Sequence, residues 1–252
     1  MSDVLLSVEN LAKRFGGIVA TDNLSLSVTQ GELHSVIGPN GAGKTTLISQ
    51  LSGMLMPDQG VVRFDGVDIT RTSAPQRSQM GLARSFQITS ILKDFTVLEN
   101  VSIAVQAHSG HSFKFWGAAH KEKALIEPAE QVLEKIGLLD RANVTAANLA
   151  HGEQRQLELA MVMATKPKLL LLDEPTAGMG PEESTAMAKM LRELKGQYTI
   201  LLIEHDMDTV FALSDRISVL VYGKTIATGT PDEIRNNADV KRAYLGEEGA
   251  SC

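Results

Sequence analysis

A single cysteine, Cys252, stands at the last position of the 252-residue chain. No disulfide can form within the chain, which fits a reducing compartment. Basic residues are in the minority: 24 Lys and Arg against 30 Asp and Glu give a net charge of -6. A protein that coats nucleic acid carries the opposite balance, so no nucleic-acid partner is expected. Long hydrophobic runs are also missing. Leu169–Leu172 and Ile200–Ile203 are among the longest, far short of the ~20 residues that span a bilayer. The start, MSDVLLSVEN, has no basic stretch ahead of an apolar one. No signal peptide is expected, and the chain is expected to be soluble by itself, with any membrane role coming through a partner. Internal repeats and low-complexity linkers are absent as well.

What remains is an ordered pattern. Apolar residues make up 43% of the chain, enough for a full core in one large domain or a domain with a subdomain. Residues 4–9 and 24–28 read as short strands, the second (LSLSV) with the alternation of a half-buried one. ELHSVIG reads as a buried strand running into glycines, and TTLISQLSGML as the helix after them. GVVRFDGVDI reads as strand, Asp-Gly turn, strand. KLLLLDE and YTILLIEHD are continuous apolar runs, as parallel strands buried on both faces require. Between them a helix starts at Pro181 and ends at Gly196, and Thr230-Pro-Asp-Glu233 opens a C-terminal helix with a capping box. From Thr89 to His151 the pattern is mainly helical. A capping box, Thr96 to Glu99, starts a helix through Val105, AHSGHSFKFWGAAH is irregular, and Pro128 predicts a break or a helix start inside KEKALIEPAEQVLEKIGLLD. The reading is an α/β domain with a helical insertion.

Gly38–Thr46, GPNGAGKTT, fits G-x-x-x-x-G-K-[ST] between a predicted strand and a predicted helix. Gly38, Pro39, Asn40, Gly41, Ala42 and Gly43 form a loop whose backbone N–H groups converge on phosphate oxygens, and the helix start behind Lys44, Thr45 and Thr46 adds its positive dipole end. Lys44 is expected to reach the β- and γ-phosphates and Thr45 to ligate Mg2+. In LLLLDEP, Asp173 and Glu174 leave the carboxyl end of a buried strand, where ligands bind in open α/β sheets. Asp173 suits the Mg2+ shell and Glu174 suits a base that takes a proton from an attacking water; the plainer alternative is two carboxylates capping the next helix. LLIEHD repeats the design with Glu204, His205 and Asp206, where His205 either meets a γ-phosphate or is structural.

Taken in order, the Gly38–Thr46 loop, Gln87 in RSFQI, Leu149-Ala-His-Gly-Glu-Gln-Arg-Gln156, LLLLDEP and IEHD resemble the ATP-binding subunits of ABC transporters over nearly the whole chain. KRFGGIVATDNLSLSV and the closing GTPDEI and VKRAYLGE look most like the subunits for branched-chain amino acids and related polar solutes. The resemblance implies a P-loop NTPase (RecA-like) core with an antiparallel β subdomain over 1–88 and 152–252, and a helical subdomain over 89–151 that faces a membrane permease. It implies adenine stacking on Phe15, contact of Gln87 with Mg2+ or the attacking water, Glu174 as catalytic base and His205 as the switch histidine. Gly152 and Glu153 would serve a γ-phosphate held by a second nucleotide-binding subunit. Phe113, Phe115 and Trp116 are candidates either for the permease contact or for a local cluster.

The implied activity is ATP hydrolysis that drives solute import from the cytoplasmic face of the cell membrane, with ATP and Mg2+, permease subunits and an extracytoplasmic solute-binding protein. Two positions depart from the family pattern. Ala150 stands where the signature segment carries serine, and Gly180 where the following loop carries aspartate. Three other readings use parts of the same motifs: a subunit of a lipid or lipopolysaccharide exporter, a soluble ABC-type ATPase acting on ribosomes or damaged DNA, and a P-loop kinase outside the family. The second usually carries two P-loops or a long coiled coil, and this chain has one P-loop and no sustained heptads. The third would lack the signature segment.

Overall fold

The computed structural model describes residues 3–85, 91–109 and 123–248. Strands β1 (Val4–Phe15) and β2 (Ile18–Thr29) pair antiparallel, and β4 (Gln59–Phe64) and β5 (Val67–Asp68) extend them into a sheet of order β2-β1-β4-β5. Asp65 and Gly66 make the turn between β4 and β5, as the sequence predicts. Both β1 and β2 outrun the apolar pattern. At the end of β1 the chain stays extended through Lys13 and Arg14 because Asp58 accepts from both, at 2.7 Å from the Lys13 Nζ and 2.8 Å from the Arg14 backbone N–H.

In the second sheet β3 (Leu33–Ile37), β6 (Leu82–Arg84), β7 (Leu169–Asp173), β8 (Thr199–Ile203) and β9 (Arg216–Val221) run parallel. An antiparallel edge strand, β10 (Lys224–Gly229), completes the order β10-β9-β3-β8-β7-β6. The two apolar runs fill its centre. Along them Leu170, Leu172, Ile200 and Leu202 face one core, and Leu169, Leu171, Leu201 and Ile203 face the other. Each is at most 1% exposed, and burying a side chain of this size contributes roughly 2 kcal/mol before chain entropy is counted.

The first core holds the sheet against α3 (Val97–Ser109), α4 (Lys123–Lys135), α5 (His151–Ala164) and α6 (Pro181–Leu194). The second packs the antiparallel sheet over α1 (Lys44–Leu51). α7 (Met207–Leu213), α8 (Pro231–Asn236) and α9 (Ala238–Glu248) close the β9 side around Val210, Ile217, Ile234 and Val240. A short helix, α2 (Ala74–Gln79), precedes β6. The helical insertion shares a core with the sheet, and α5 packs on both α3 and α4.

The capping box at Thr96 forms, with Glu99 accepting from the Thr96 N–H at 2.7 Å, but the helix runs on to Ser109. Pro128 neither breaks nor starts a helix; it lies inside α4, six residues in. Leu125, Ala129 and Leu133 on one face of α4 are buried, and that packing outweighs the lost N–H. No helix among the described residues is long and apolar enough to cross a membrane.

Candidate nucleotide site

The strand register assembles the site. Val36 lies opposite Ile203, Asp173 opposite Ile203 on the other side, and Arg84 opposite Leu171. The loop after β3 and the residues following β7 and β8 therefore leave the sheet side by side, at its carboxyl edge.

The phosphate loop is closed by its surroundings. A side chain at Gly38 would set its Cβ 2.1 Å from the Leu220 carbonyl oxygen, and one at Gly43, which has φ +103°, 2.3 Å from that of Ala20. Only glycine fits either place. Ala42 accepts from the Gly223 N–H at 2.9 Å, tying the loop to the β9–β10 turn. Lys44 begins α1, is 8% exposed, and folds back so that its ammonium donates to the Gly38 carbonyl at 2.5 Å and the Pro39 carbonyl at 3.0 Å. Thr45, in the first turn of α1, is exposed, and Thr46 is half-buried.

Asp173 ends β7 with its side chain 1% exposed. One oxygen, Oδ2, accepts from Arg84 Nη2 at 3.0 Å; the other, Oδ1, is buried without a hydrogen-bond partner. A buried lone carboxylate oxygen fits a cation shell. No group of three or more His, Cys, Asp or Glu among the described residues converges on a metal position. The Asp173 oxygen fits Mg2+, which is held by one or two protein oxygens, water and substrate phosphates. Glu174 follows with φ +49°, unusual for a residue with a Cβ. Its N–H is held by the Ile203 carbonyl at 2.8 Å, and its carbonyl accepts from the Ala177 N–H at 3.1 Å. Strain of this kind persists only where neighbours fix it, and the side chain is half-buried.

Glu204, a carboxylate with no role predicted from the sequence, is fully buried behind this edge. It accepts from the Thr176 N–H at 3.1 Å, the Thr176 hydroxyl at 2.5 Å and the His205 N–H at 3.1 Å. One buried anion thus clamps the segment after Glu174 to the segment carrying His205, whose ring is 65% exposed. Asp206 caps α7, accepting from the Thr209 hydroxyl at 2.6 Å. That bond, with the backbone N–H groups, outweighs burial and holds its carboxyl below the usual range.

Phe15 is not the buried strand end a core phenylalanine would be. The residue is 48% exposed and pairs across the hairpin with Ile18, with the Lys13 ammonium 5.7 Å from the ring centre. Since Ala20 of β2 backs onto Gly43, the hairpin end lies beside the phosphate loop. Gln87, Phe113, Phe115 and Trp116 lie outside the described residues.

The signature segment is engaged on its own subunit. Gly152, at the first turn of α5, donates its N–H to Glu183 Oε1 at 3.2 Å, and a Cβ at that position would be 2.7 Å from the same oxygen. The other oxygen of Glu183 accepts from the Gly180 N–H at 3.1 Å, so one carboxylate joins the starts of α5 and α6. Glu153 accepts from the Ala150 N–H at 2.9 Å and from Arg141 Nε at 2.9 Å; that ion pair does most to depress its carboxyl below the usual range. A cavity of about 460 Å³ opens between α2 and β6 on one side and α3 and α5 on the other, lined mainly by Met54, Leu82, Ile103, Met161 and Val162.

Residues 21–177 match the family described as ABC transporter, and residues 224–250 the one described as Branched-chain amino acid ATP-binding cassette transporter. The high-affinity branched-chain amino acid transport ATP-binding protein LivG of Salmonella typhimurium is 43% identical over 254 residues, covering 98% of this chain and 100% of that protein. BraF of Pseudomonas aeruginosa, described in the same words, is 40% identical over 98% of this chain and 100% of its own length. The crystal structure of the ADP conformation of MJ1267, an ATP-binding cassette of an ABC transporter, superposes with a TM-score of 0.85 at 33% identity, covering 96% of this chain and 99% of that one. The matches span nearly the whole chain and the full length of these relatives, and the chain belongs to the ABC transporter family as one of its ATP-binding cassettes.

Proposed function

We propose that this chain is the ATP-hydrolysing subunit of an importer of branched-chain amino acids, bound to its permease at the cytoplasmic face of the membrane. The observation that carries the hydrolytic part is the shared carboxyl edge of β3, β7 and β8, which sets Asp173 and Glu174 beside the phosphate loop. The choice of cargo is supported by the names of LivG and BraF.

In this reading the Lys44 ammonium leaves the Gly38 and Pro39 carbonyls for the β- and γ-phosphates. Thr45, Gln87 and the Oδ1 of Asp173 would hold Mg2+. When bound, Mg2+ neutralises charge that spreads over the transferring phosphoryl oxygens. Glu174 orients a water and takes its proton as the water oxygen bonds to the γ-phosphorus and the bond to the ADP oxygen breaks. His205 donates to the γ-phosphate, and Glu204 keeps it in register with Glu174. Phe15 offers a face to the adenine ring.

Two such subunits close head-to-tail, and the Gly152 N–H meets the phosphate held by the other. In the single chain that N–H already serves Glu183, so closure exchanges one anionic acceptor for another. With Ala150 in place of serine, the contact rests on backbone N–H groups and the helix start. The permease takes the apolar cavity beside the helical insertion, where Met54 and Ile103 expose 60% and 36% of their surface.

Mass spectrometry of the complex purified in detergent under its native promoter tests this. Permease subunits and a solute-binding protein specific for leucine, isoleucine or valine are expected. A lipid-exporter permease would overturn the cargo, and co-purifying ribosomes would overturn transport.

A further inference from the structure

Arg84 has no part in the mechanism above, yet among the described residues it makes the only hydrogen bond to the Asp173 carboxylate. It is the last residue of β6, and its side chain is 10% exposed. Nη2 donates to Asp173 Oδ2 at 3.0 Å. Nη1 points at the far end of α1, 3.3 Å from Ser49 Oγ, 3.4 Å from Ser52 Oγ and 3.5 Å from Met54 Sδ. Nε is buried without a partner, so the guanidinium is not placed to satisfy its own donors. Its two terminal nitrogens thus reach two different elements, the carboxylate that ends β7 and the end of α1.

The geometry points to Arg84 as a positioning residue for Asp173. By holding Oδ2, it fixes the rotation of the carboxylate and leaves Oδ1 as the one oxygen presented to a cation. The two positive groups then share the carboxylate, one on each oxygen, and do not compete for it. The planar guanidinium is anchored at its other end to the helix that begins with Lys44 and Thr45, so the carboxylate is set relative to the same helix that binds the phosphates. This inference rests on the assignment of Asp173 to the Mg2+ shell.

The test is the Mg2+ concentration at which a fluorescent, non-hydrolysable ATP analogue reaches half its final signal on the full-length subunit, compared with the affinity of the same analogue in EDTA. Arg84→Met is expected to raise the Mg2+ midpoint about tenfold, the lower end of the range for losing a partner that orients a metal ligand, while the EDTA affinity changes less than about twofold. Arg84→Lys, which keeps a cation but not the fork, is expected to fall between. If Arg84→Met proves unfolded by circular dichroism, Arg84→Lys alone decides, with a midpoint raised about threefold or more. An unchanged midpoint in the folded variant overturns the inference. So does a lowered one, which would mean that the arginine competes with the cation. Asp173→Asn separates the two assignments. If it leaves the midpoint unchanged, the metal role of Asp173 itself fails; if it raises the midpoint and the arginine variants do not, only the role of Arg84 fails.

Discussion

Arg77 is a side chain whose loss carries a stability cost set by its own hydrogen bonds. It sits in α2, is completely buried, and has no carboxylate bonded to it in the described structure. Its fork donates to five backbone carbonyls: Nε to Thr72 at 3.0 Å, Nη1 to Gln50 and Leu51 at 2.7 Å each, and Nη2 to Ile69 at 2.6 Å and Thr70 at 3.1 Å. Gln50 and Leu51 lie in the last turn of α1, the negative end of that helix, so the cation also favours the dipole.

Burial pushes its pKa down to about 10, partly offset by Asp68, so it stays charged at neutral pH. Arg77→Met keeps the stem and removes every donor. The Gln50 and Ile69 carbonyls retain a backbone donor, from Gly53 at 3.2 Å and Thr72 at 2.9 Å. That leaves about three carbonyls stripped at roughly 1 kcal/mol or more each, or ~3–4 kcal/mol together, in line with removing one partner from a buried charged network. For a domain of this size that lowers the thermal midpoint by roughly 10 °C. Differential scanning calorimetry of the two proteins measures it. A loss under about 1 kcal/mol would refute the reasoning, because it would mean that water or main-chain shifts satisfy those carbonyls without the guanidinium.

Two further outcomes are expected. Gly43→Ala forces a Cβ to 2.3 Å from the Ala20 carbonyl in a φ +103° conformation, so the loop must open. Nucleotide affinity by calorimetry is expected to fall at least ~100-fold, the equivalent of ~3 kcal/mol of strain and displaced N–H groups. Glu32 is held below its ordinary value of 4.5: burial raises it, but the His34 ring at 2.8 Å and the Thr29 N–H at 2.7 Å lower it by more. A folded carboxylate that protonates less readily than the unfolded one adds stability above the ordinary value and loses it as pH falls through the folded one. The thermal midpoint of Glu32→Gln is therefore expected to lie below that of the parent at about pH 6 and to converge on it below about pH 4; parallel curves would contradict the assignment.

The parts of this molecule legible in its sequence are those where one local pattern has one physical solution. KLLLLDE and YTILLIEHD can be buried on both faces only as central parallel strands, and the glycines of the phosphate loop have no other reason to cluster between a strand and a helix. The ends of elements were less legible because distant partners set them. β1 continues through Lys13 and Arg14 because they pair with Thr21 and Val19 of β2 and Asp58 accepts from both, and α4 continues through Pro128 because one of its faces is packed.

The site divides the same way. Lys44, Asp173, Glu174 and His205 carry their own motifs. Arg84, Glu183 and Glu204 do not, since each acquires meaning from a partner 28 or more residues away: Asp173, Gly152 and Thr176. The Glu183 contact adds to the picture of the signature segment: in the single chain the Gly152 N–H is held by a carboxylate of its own subunit.

The central claim is that Glu174 is the base of an ATP-hydrolysing site. Its most direct measurement pairs steady-state phosphate release by the assembled transporter with ATP affinity, for Glu174→Gln beside the parent. Turnover is expected to fall by a factor of ~100 or more, the usual contribution of a general base, while ATP affinity stays within about threefold. Phosphate release at the parental rate would contradict the account.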